Sequence, residues 1–566
     1  MFRRAVALFC LCALPGHLRA EATAGEIVKL EPFIIEAASD DPWHYLAVPG
    51  FEILSRCPDD FTVQYARALQ RATAARLALL PADYWGELPT PIKAVLYNRK
   101  PESPEGLLRS NLIDLSWTSQ SEAILGSKAV RISFPAMVGD GDEFISCGNY
   151  WNVRAESSGF CVDLDSAIRL RNRVPQFPSW FVAGLEGPFG LYANRFIQST
   201  PAGDSVILPN AVWVSDAETI ALQKDYQQKR KGRPVRVLPA LLPLAKLFSG
   251  DIGGEQQDLW NSEAALFVRW GLYGKGNGDA ENRSGFLAFV DQTTKEPPTE
   301  ALFQKCFGLS YAQAEESLRE FLASAVSEPI QVPFPVRDNP PYAIREATAG
   351  ETARIIGDWA RLEARNLGPL YYEYKHKCLD QAERLFERKY AGRNDDPLFL
   401  AAFGLYAVQM GEDGRARKAL EASTDAGIVR PRAYVELGRL RLTNALPEVM
   451  HGTGDLNPAE FGDILALLET ARRQMPALPS SYNVLARTLR HAPEKLTRAD
   501  LAFLREAINS FPYNAALAGN VASLYREAGF PAEATAIIER AMAFSDSAAA
   551  RVQLSGFSDD QTGETR

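Results

Sequence analysis

Residues 515–541 read Ala515-Ala-Leu-Ala-Gly-Asn-Val-Ala522-Ser-Leu-Tyr525-Arg-Glu-Ala-Gly529-Phe-Pro-Ala-Glu-Ala534-Thr-Ala-Ile-Ile538-Glu-Arg-Ala541. Apolar residues recur at three- and four-residue spacing on both sides of Gly529, so the stretch reads as two amphipathic helices folded back at a glycine turn. Ala522 sits at the middle of the first helix, and a second small residue, Ala534, follows twelve positions later. Small side chains there let two antiparallel helices approach closely. The pattern recurs upstream. Phe403-Gly404 and Leu437-Gly438 each centre an apolar helical run, their glycines are 34 residues apart, and Ala416 and Leu420 follow Gly404 as Ala534 and Ile538 follow Ala522. Leu485-Ala486 opens a further unit 36 residues before Ala522, and a weaker unit covers Leu370 to Tyr390 with Ala382 at the small position.

This period, with small residues at the helix crossing, resembles the tetratricopeptide repeat, whose stacked units form a concave groove for peptides or partner proteins. The interval from Gly438 to Ala486 exceeds one repeat by about 14 residues, which places an insertion at Pro447 to Phe461. An irregular helical bundle is the competing reading. The repeats are expected over 346–545, with a flexible tail over 546–566.

Outward from the repeats, Pro329, Pro333, Pro335, Pro340 and Pro341 interrupt the pattern, which places a linker at 328–345. Earlier, Phe51 to Leu54, Ile92 to Tyr97 and Ala129 to Phe134 read as strands, and Asp60 to Leu80 as a helix with one apolar stripe. From about Asp163 onward helices dominate. Strands followed by segregated helices indicate an α+β domain over 46–327, preceded by a linker at 21–45 and followed by the all-α helical-repeat domain.

The chain begins with Arg3-Arg4, an apolar run from Ala5 to Leu14, and small residues at Ala20 and Ala22. This is the layout of a cleaved secretory signal over residues 1–20, too short to span a bilayer, and it predicts an extracytoplasmic (periplasmic or secreted) product with no membrane span. The full chain has 566 residues, 46% of them hydrophobic, and carries 61 Lys plus Arg against 70 Asp plus Glu. An acidic chain without a long basic run is a poor nucleic-acid binder, since that affinity comes from cations neutralising phosphates. Cys57, Cys147, Cys161, Cys306 and Cys378 follow the signal. Their number is odd, so at least one thiol is unpaired within the chain. Cys147 and Cys161 bracket a Gly-, Ser- and aromatic-rich loop and are the candidate disulfide; five separate thiols are the alternative.

The stretch Pro178-Ser-Trp180-Phe-Val-Ala183-Gly184-Leu185-Glu186-Gly, with Leu238 to Phe248, Ser262 to Trp270 and Phe307 to Leu322, resembles the peptidase-MA-like domains of gluzincin-type zinc metallopeptidases. The resemblance covers about residues 46–325 and implies a helix carrying HExxH, followed by a second helix whose Glu is the third zinc ligand. Those residues do not carry over. The segment matching the first helix, near Val162 to Arg169, has no histidine, and none occurs anywhere between His44 and His376. The third-ligand position falls on Ala183. The two imidazoles that hold Zn²⁺ and the Glu that activates its water are therefore all missing, and the sequence predicts no cofactor and no metal.

Asp163, Asp165 and Glu186 remain as carboxylates able to share one cleft, and a carboxylate pair can do acid–base work. Acids near helix ends are more often dipole partners, and Glu186 then reads as a solvated or capping residue. No Gly-x-Ser-x-Gly elbow, phosphate loop or dinucleotide fingerprint is present. Trp180 and Trp270 lie amid apolar helix residues and read as core. Two functions follow: a non-catalytic scaffold binding a protein or peptide through the repeat groove, or a hydrolase rebuilt on the carboxylates.

Overall fold

The two β-prone runs of the first half pair with each other. In the computed structural model, Phe51–Ser55 (β2) lies parallel to Ile92–Tyr97 (β3). The structure describes residues 42–97, 136–149, 166, 168–187, 189–192, 195–200, 203–232, 240–250, 252, 254–274, 282–335, 341–366, 372–390, 395–451, 455–545 and 548–559. His44–Val48 (β1), Ala136–Gly139 (β4), Phe144–Asn149 (β5) and the short Arg345–Glu346 (β9) complete a six-stranded sheet in the order β4-β5-β3-β2-β1-β9. β3 and β5 are parallel and the remaining pairs antiparallel. Every residue of β2 is buried, as in strands covered on both faces.

Each face has a different cover. Phe51, Ile53, Ile92, Ala94 and Leu96 share a core with the apolar stripe of Asp59–Leu79 (α1), including Phe61, Tyr65 and Leu69. Leu54, Val95 and Ile145 point the other way, into a cluster with Ile355, Trp359, Phe386, Phe399 and Phe403 from the second half of the chain.

Beyond the sheet, Ser179–Glu186 (α2), Asp216–Arg230 (α3), Leu244–Ser249 (α4), Gln257–Tyr273 (α5), Arg283–Thr293 (α6), Glu300–Phe307 (α7) and Tyr311–Ala325 (α8) surround an aromatic core. Trp180 packs edge-on to Phe267 with ring centroids 5.4 Å apart, and Phe303 stacks on Phe307 at 4.4 Å. Trp180 and Trp270 are wholly buried in it. A second sheet, absent from the sequence expectation, joins Phe196–Thr200 (β6), Gly203–Leu208 (β7) and Ile330–Phe334 (β8) in antiparallel order.

The second half is a helical-repeat array of the tetratricopeptide-like kind. Its pairs are Ala349–Asn366 (α9) with Tyr372–Tyr390 (α10), Pro397–Met410 (α11) with Asp413–Asp425 (α12), and Pro431–His451 (α13) with Pro458–Arg473 (α14). Pro479–Leu489 (α15) with Ala502–Ser510 (α16) and Ala515–Glu527 (α17) with Pro531–Phe544 (α18) continue it. The small residues sit at the crossings: a Cβ on Gly404 would come within 2.7 Å of Leu420, and one on Gly438 within 3.0 Å of Leu468. Proline starts several of these helices, where the missing N–H costs no hydrogen bond. Of the insertion expected at Pro447 to Phe461, the described residues fall at the end of α13, just before α14 and in its first turn.

Three boundary expectations change. Residues 328–345 are not a plain linker, because they contain β8 and reach β9, and all described residues from Pro42 onward belong to one compact unit. The linker assigned to 21–45 ends earlier, since β1 starts at His44. Residues 546–566 include Ala548–Asp559 (α19), which buries Leu554 and sets Phe557 where a Cβ on Gly519 would lie within 2.3 Å of its ring. The strand expected at Ala129 to Phe134 lies outside the described residues. Among the described residues, no helix is long and apolar enough to cross a membrane.

Candidate functional site

α2 follows Pro178 and buries Trp180, Phe181, Gly184 and Leu185. It crosses α5 at Gly184, where a Cβ would sit 2.5 Å from the carbonyl oxygen of Ala264, so only glycine fits. Ala183 is half-buried beside that crossing, and its carbonyl accepts the Gly187 N–H at 2.8 Å as the helix ends. Glu186 projects from the last turn with 11% of its side chain exposed, 3.7 Å from the guanidinium of Arg195. Arg195 lies over the ring of Tyr192, 4.5 Å from its centroid.

Burial pushes the Glu186 carboxyl above the usual range, while Arg195 and Arg171 pull it back. Burial likewise drives the Tyr192 phenol well up. Glu186 is thus neither solvated nor a helix cap. It is a buried carboxylate under the charge of Arg195 and Arg171. Asp163 and Asp165, which the sequence grouped with it, lie outside the described residues, as does Cys161; Cys147 falls in β5. Cys306 and Cys378 are free thiols. Among the described residues, no group of three or more His, Cys, Asp or Glu could hold a metal ion.

A second concentration of charge was not anticipated. The turn between β4 and β5 carries Asp140, Gly141 and Asp142, with Glu143 next, and it inserts between the sheet and the repeats. Gly141 has φ 107°, and a Cβ there would meet Leu478 at 2.9 Å, so glycine is needed for both backbone and space. Arg361 of α9 donates Nη2 to Asp140 Oδ2 at 2.9 Å and Nε to Asp358 Oδ1 at 2.6 Å. Arg430 closes on the other oxygen of Asp358 at 2.6 Å and stands 4.0 Å from Glu143, which also pairs with Lys93 of β3. Asp142 accepts the backbone N–H of Arg432 at 2.6 Å and so caps α13 from across the seam. All of Asp140, Asp358, Arg361 and Arg430 are 3% exposed or less at the side chain.

The two aspartates divide their roles. Burial would raise Asp140, but Arg361, Arg432 and Arg430 hold it well below the usual carboxylate range. Burial and the charge of Asp140 push Asp142 the opposite way, up to about 7. The Oδ1 atoms of both aspartates are buried with no hydrogen-bond partner among the described residues. A clue stood in the sequence: Arg430-Pro-Arg432 puts two cations at a helix N-terminus, against the dipole, which calls for carboxylate partners nearby. Beside this network a cleft of about 220 Å³ opens between the β4–β5 turn, the segment 171–176 and the loops entering α13 and α15.

The chain matches no family model and no curated protein. Among solved structures it is similar to the MamA protein, at 13% identity over 38% of this chain and 98% of that one, with a TM-score of 0.26. It is also similar to TTC0263, a thermophilic TPR protein of Thermus thermophilus, at 18% identity over 33% and 93% of the two chains with a TM-score of 0.24. A third similarity is to YrrB, described as a TPR protein with an unusual peptide-binding site, at 13% identity over 35% and 90% with a TM-score of 0.25.

Proposed function

We propose that the chain is an extracytoplasmic, non-catalytic scaffold: a metallopeptidase-like framework that has lost its metal ligands, joined to helical repeats that hold a protein or peptide partner. The observation that carries this reading is Ala183 on α2, an apolar residue where the resembled family places a zinc-binding glutamate, in a first half with no histidine beyond His44. Glu186, three positions on, is engaged by Arg195 rather than presented to a substrate. The competing reading, a hydrolase using Asp163, Asp165 and Glu186, draws on the raised Glu186 carboxyl, a property of general acids.

The test uses the full chain without residues 1–20. Zinc titration and chelator-sensitive casein cleavage are expected to be negative; one tightly bound zinc with proteolysis would overturn the scaffold reading. Charge reversal at Arg439 and Arg487, on the first helices of two repeat pairs, is expected to abolish retention of the partner captured from the extracytoplasmic fraction. An esterase or glycosidase activity lost in Asp163→Ala/Asp165→Ala, with unchanged thermal stability, would establish the hydrolase instead.

A further inference from the structure

The β4–β5 turn is held in the seam by two carboxyls that are not served alike. Asp140 meets Arg361 of α9 at 2.9 Å, with Arg432 3.4 Å and the half-exposed Arg365 3.8 Å from the same oxygen. The Asp142 side chain accepts only the neutral backbone N–H of Arg432, at 2.6 Å, while Thr90 donates to its carbonyl at 3.1 Å. No N–H or O–H of the described residues donates to the buried Oδ1 of either aspartate, and the two carboxyls lie within hydrogen-bonding reach of each other. Carboxyls in contact can make that bond only when one carries a proton, and buried like charges so placed do not both ionise.

The surrounding charges are engaged elsewhere. Arg361 is shared with Asp358, and Arg430 closes on Asp358 at 2.6 Å and faces Glu143 at 4.0 Å. Glu143 pairs with Lys93 of β3, and Arg354 is held by Glu52. Arg432 turns its guanidinium to the Asp140 carbonyl at 3.0 Å and to Glu436 at 3.5 Å. Arg171, across the cleft, acts on Glu186. Arg430 and Arg432 therefore reach the Asp142 carboxyl only through space. A metal cation between the aspartates would be repelled by the same arginines. A proton is the occupant that fits.

We propose that the β4–β5 turn is a proton-operated latch: one proton between Asp140 and Asp142 seats the turn against α9 and the start of α13, and its loss sets two negative charges side by side in the seam and releases the turn together with the first turn of α13. The release is local, because the apolar contacts of Leu54, Val95 and Ile145 with Trp359 and Phe403 carry no charge. Asp140 and Gly141 wall the cleft opposite Leu478 and Phe511, so release widens it. Burial and Asp140 push the Asp142 carboxyl from 3.8 up to about 7, so the fold keeps a proton that the unfolded chain gives up. The stability tied to it is complete below 3.8 and is lost as pH rises through about 7; Asp140, held low by its arginines, titrates below that window.

Amide exchange of the chain without residues 1–20, corrected for the intrinsic pH dependence of exchange, tests the latch. All proteins carry Glu363→Gln, because that buried carboxyl titrates in the same range. Between about pH 5 and 8, protection over 140–145 and 432–436 is expected to fall at least tenfold. Asp142→Asn cannot ionise and offers Asp140 a donor, so its protection is expected to stay constant. Infrared spectroscopy with carbon-13 aspartate reads the proton without relying on that variant to fold: a protonated aspartate band at about pH 6 is expected to vanish by about pH 8, and the label leaves out the raised carboxyls of Glu186 and Glu263. Constant protection in the parent, a parallel loss in Asp142→Asn, or no protonated aspartate band would each overturn the latch. These readouts are independent of zinc, of casein cleavage and of partner retention, and so of the scaffold reading.

Discussion

Glu363 shows how one residue can set a pH response. It lies on α9, 4% exposed, and neither carboxyl oxygen has a hydrogen-bond partner. Burial alone pushes its carboxyl from 4.5 up to about 8, and its charge, with burial, drives up the Cys378 thiol. The folded chain therefore keeps a proton that the unfolded chain releases above 4.5. The stability tied to that proton is complete below 4.5 and is lost as pH rises toward 8. Glu363→Gln cannot ionise, so in urea denaturation its advantage over the parent should grow between pH 5 and 8, by at most about 1.4 kcal/mol per unit. Equal pH slopes for the two proteins would mean that Glu363 is ionised in the fold. Gly184 is a steric counterpart. Its neighbour at the α2–α5 crossing is backbone, which cannot swing aside, so Gly184→Ala should cost about 1–3 kcal/mol by overpacking, read as a lower urea midpoint with unchanged slope.

Among the elements, those with a strong local signal were legible. β2, β3 and α1 fall where apolar runs and a helical stripe placed them, and the repeat helices follow the 34-residue spacing because the small residues mark real crossings at Gly404 and Gly438. Asn457 marks the start of α14 with its carboxamide oxygen accepting the Ala459 and Glu460 N–H groups at 2.9 and 3.2 Å. Asn457→Ala should lose about 1 kcal/mol, visible as faster amide exchange in the first turn of α14. β8 was hidden by its proline. Pro333 cannot donate to a ladder, but β8 is the edge strand of its sheet, where one N–H side has no partner to miss. α19 was hidden because only Leu554 and Phe557 anchor an otherwise weak helical pattern. The seam network was illegible for a different reason. Gly139-Asp-Gly-Asp142 has the composition of an exposed turn, and the partners of its aspartates lie 221 and 290 positions away, a distance no local period reports. Of the carboxylates named from sequence, Asp163 and Asp165 lie outside the described residues, and Glu186 meets an arginine from beyond the helix end.

At the level of the whole molecule, the repeats act as the second cover of the sheet, and this decides whether they can exist alone. Trp359, Ile355, Phe386, Phe399 and Phe403 are almost wholly buried in the cluster that includes Leu54, Val95 and Ile145. Burying five such side chains stabilises by about 2 kcal/mol each, comparable with the entire net stability of a domain, about 5–15 kcal/mol. The same surface buries charge. Arg354 pairs with Glu52 of β2 at 2.7 Å, and Arg361 and Arg430 reach Asp140 and Glu143. Removing one partner of such a network leaves a buried charge uncompensated, so Arg430→Ala should cost about 3–5 kcal/mol, and guanidinium denaturation of that variant measures it. A fragment of residues 346–566 removes every sheet partner at once. It should elute as an aggregate, bind hydrophobic dye and lack near-ultraviolet dichroism, whereas the chain from residue 42 should unfold in a single transition by fluorescence and circular dichroism together. A monomeric 346–566 fragment with its own cooperative transition, matched by a second transition in the longer chain, would show that the repeats are an autonomous domain and that the covered face of the sheet is an interface rather than a shared core.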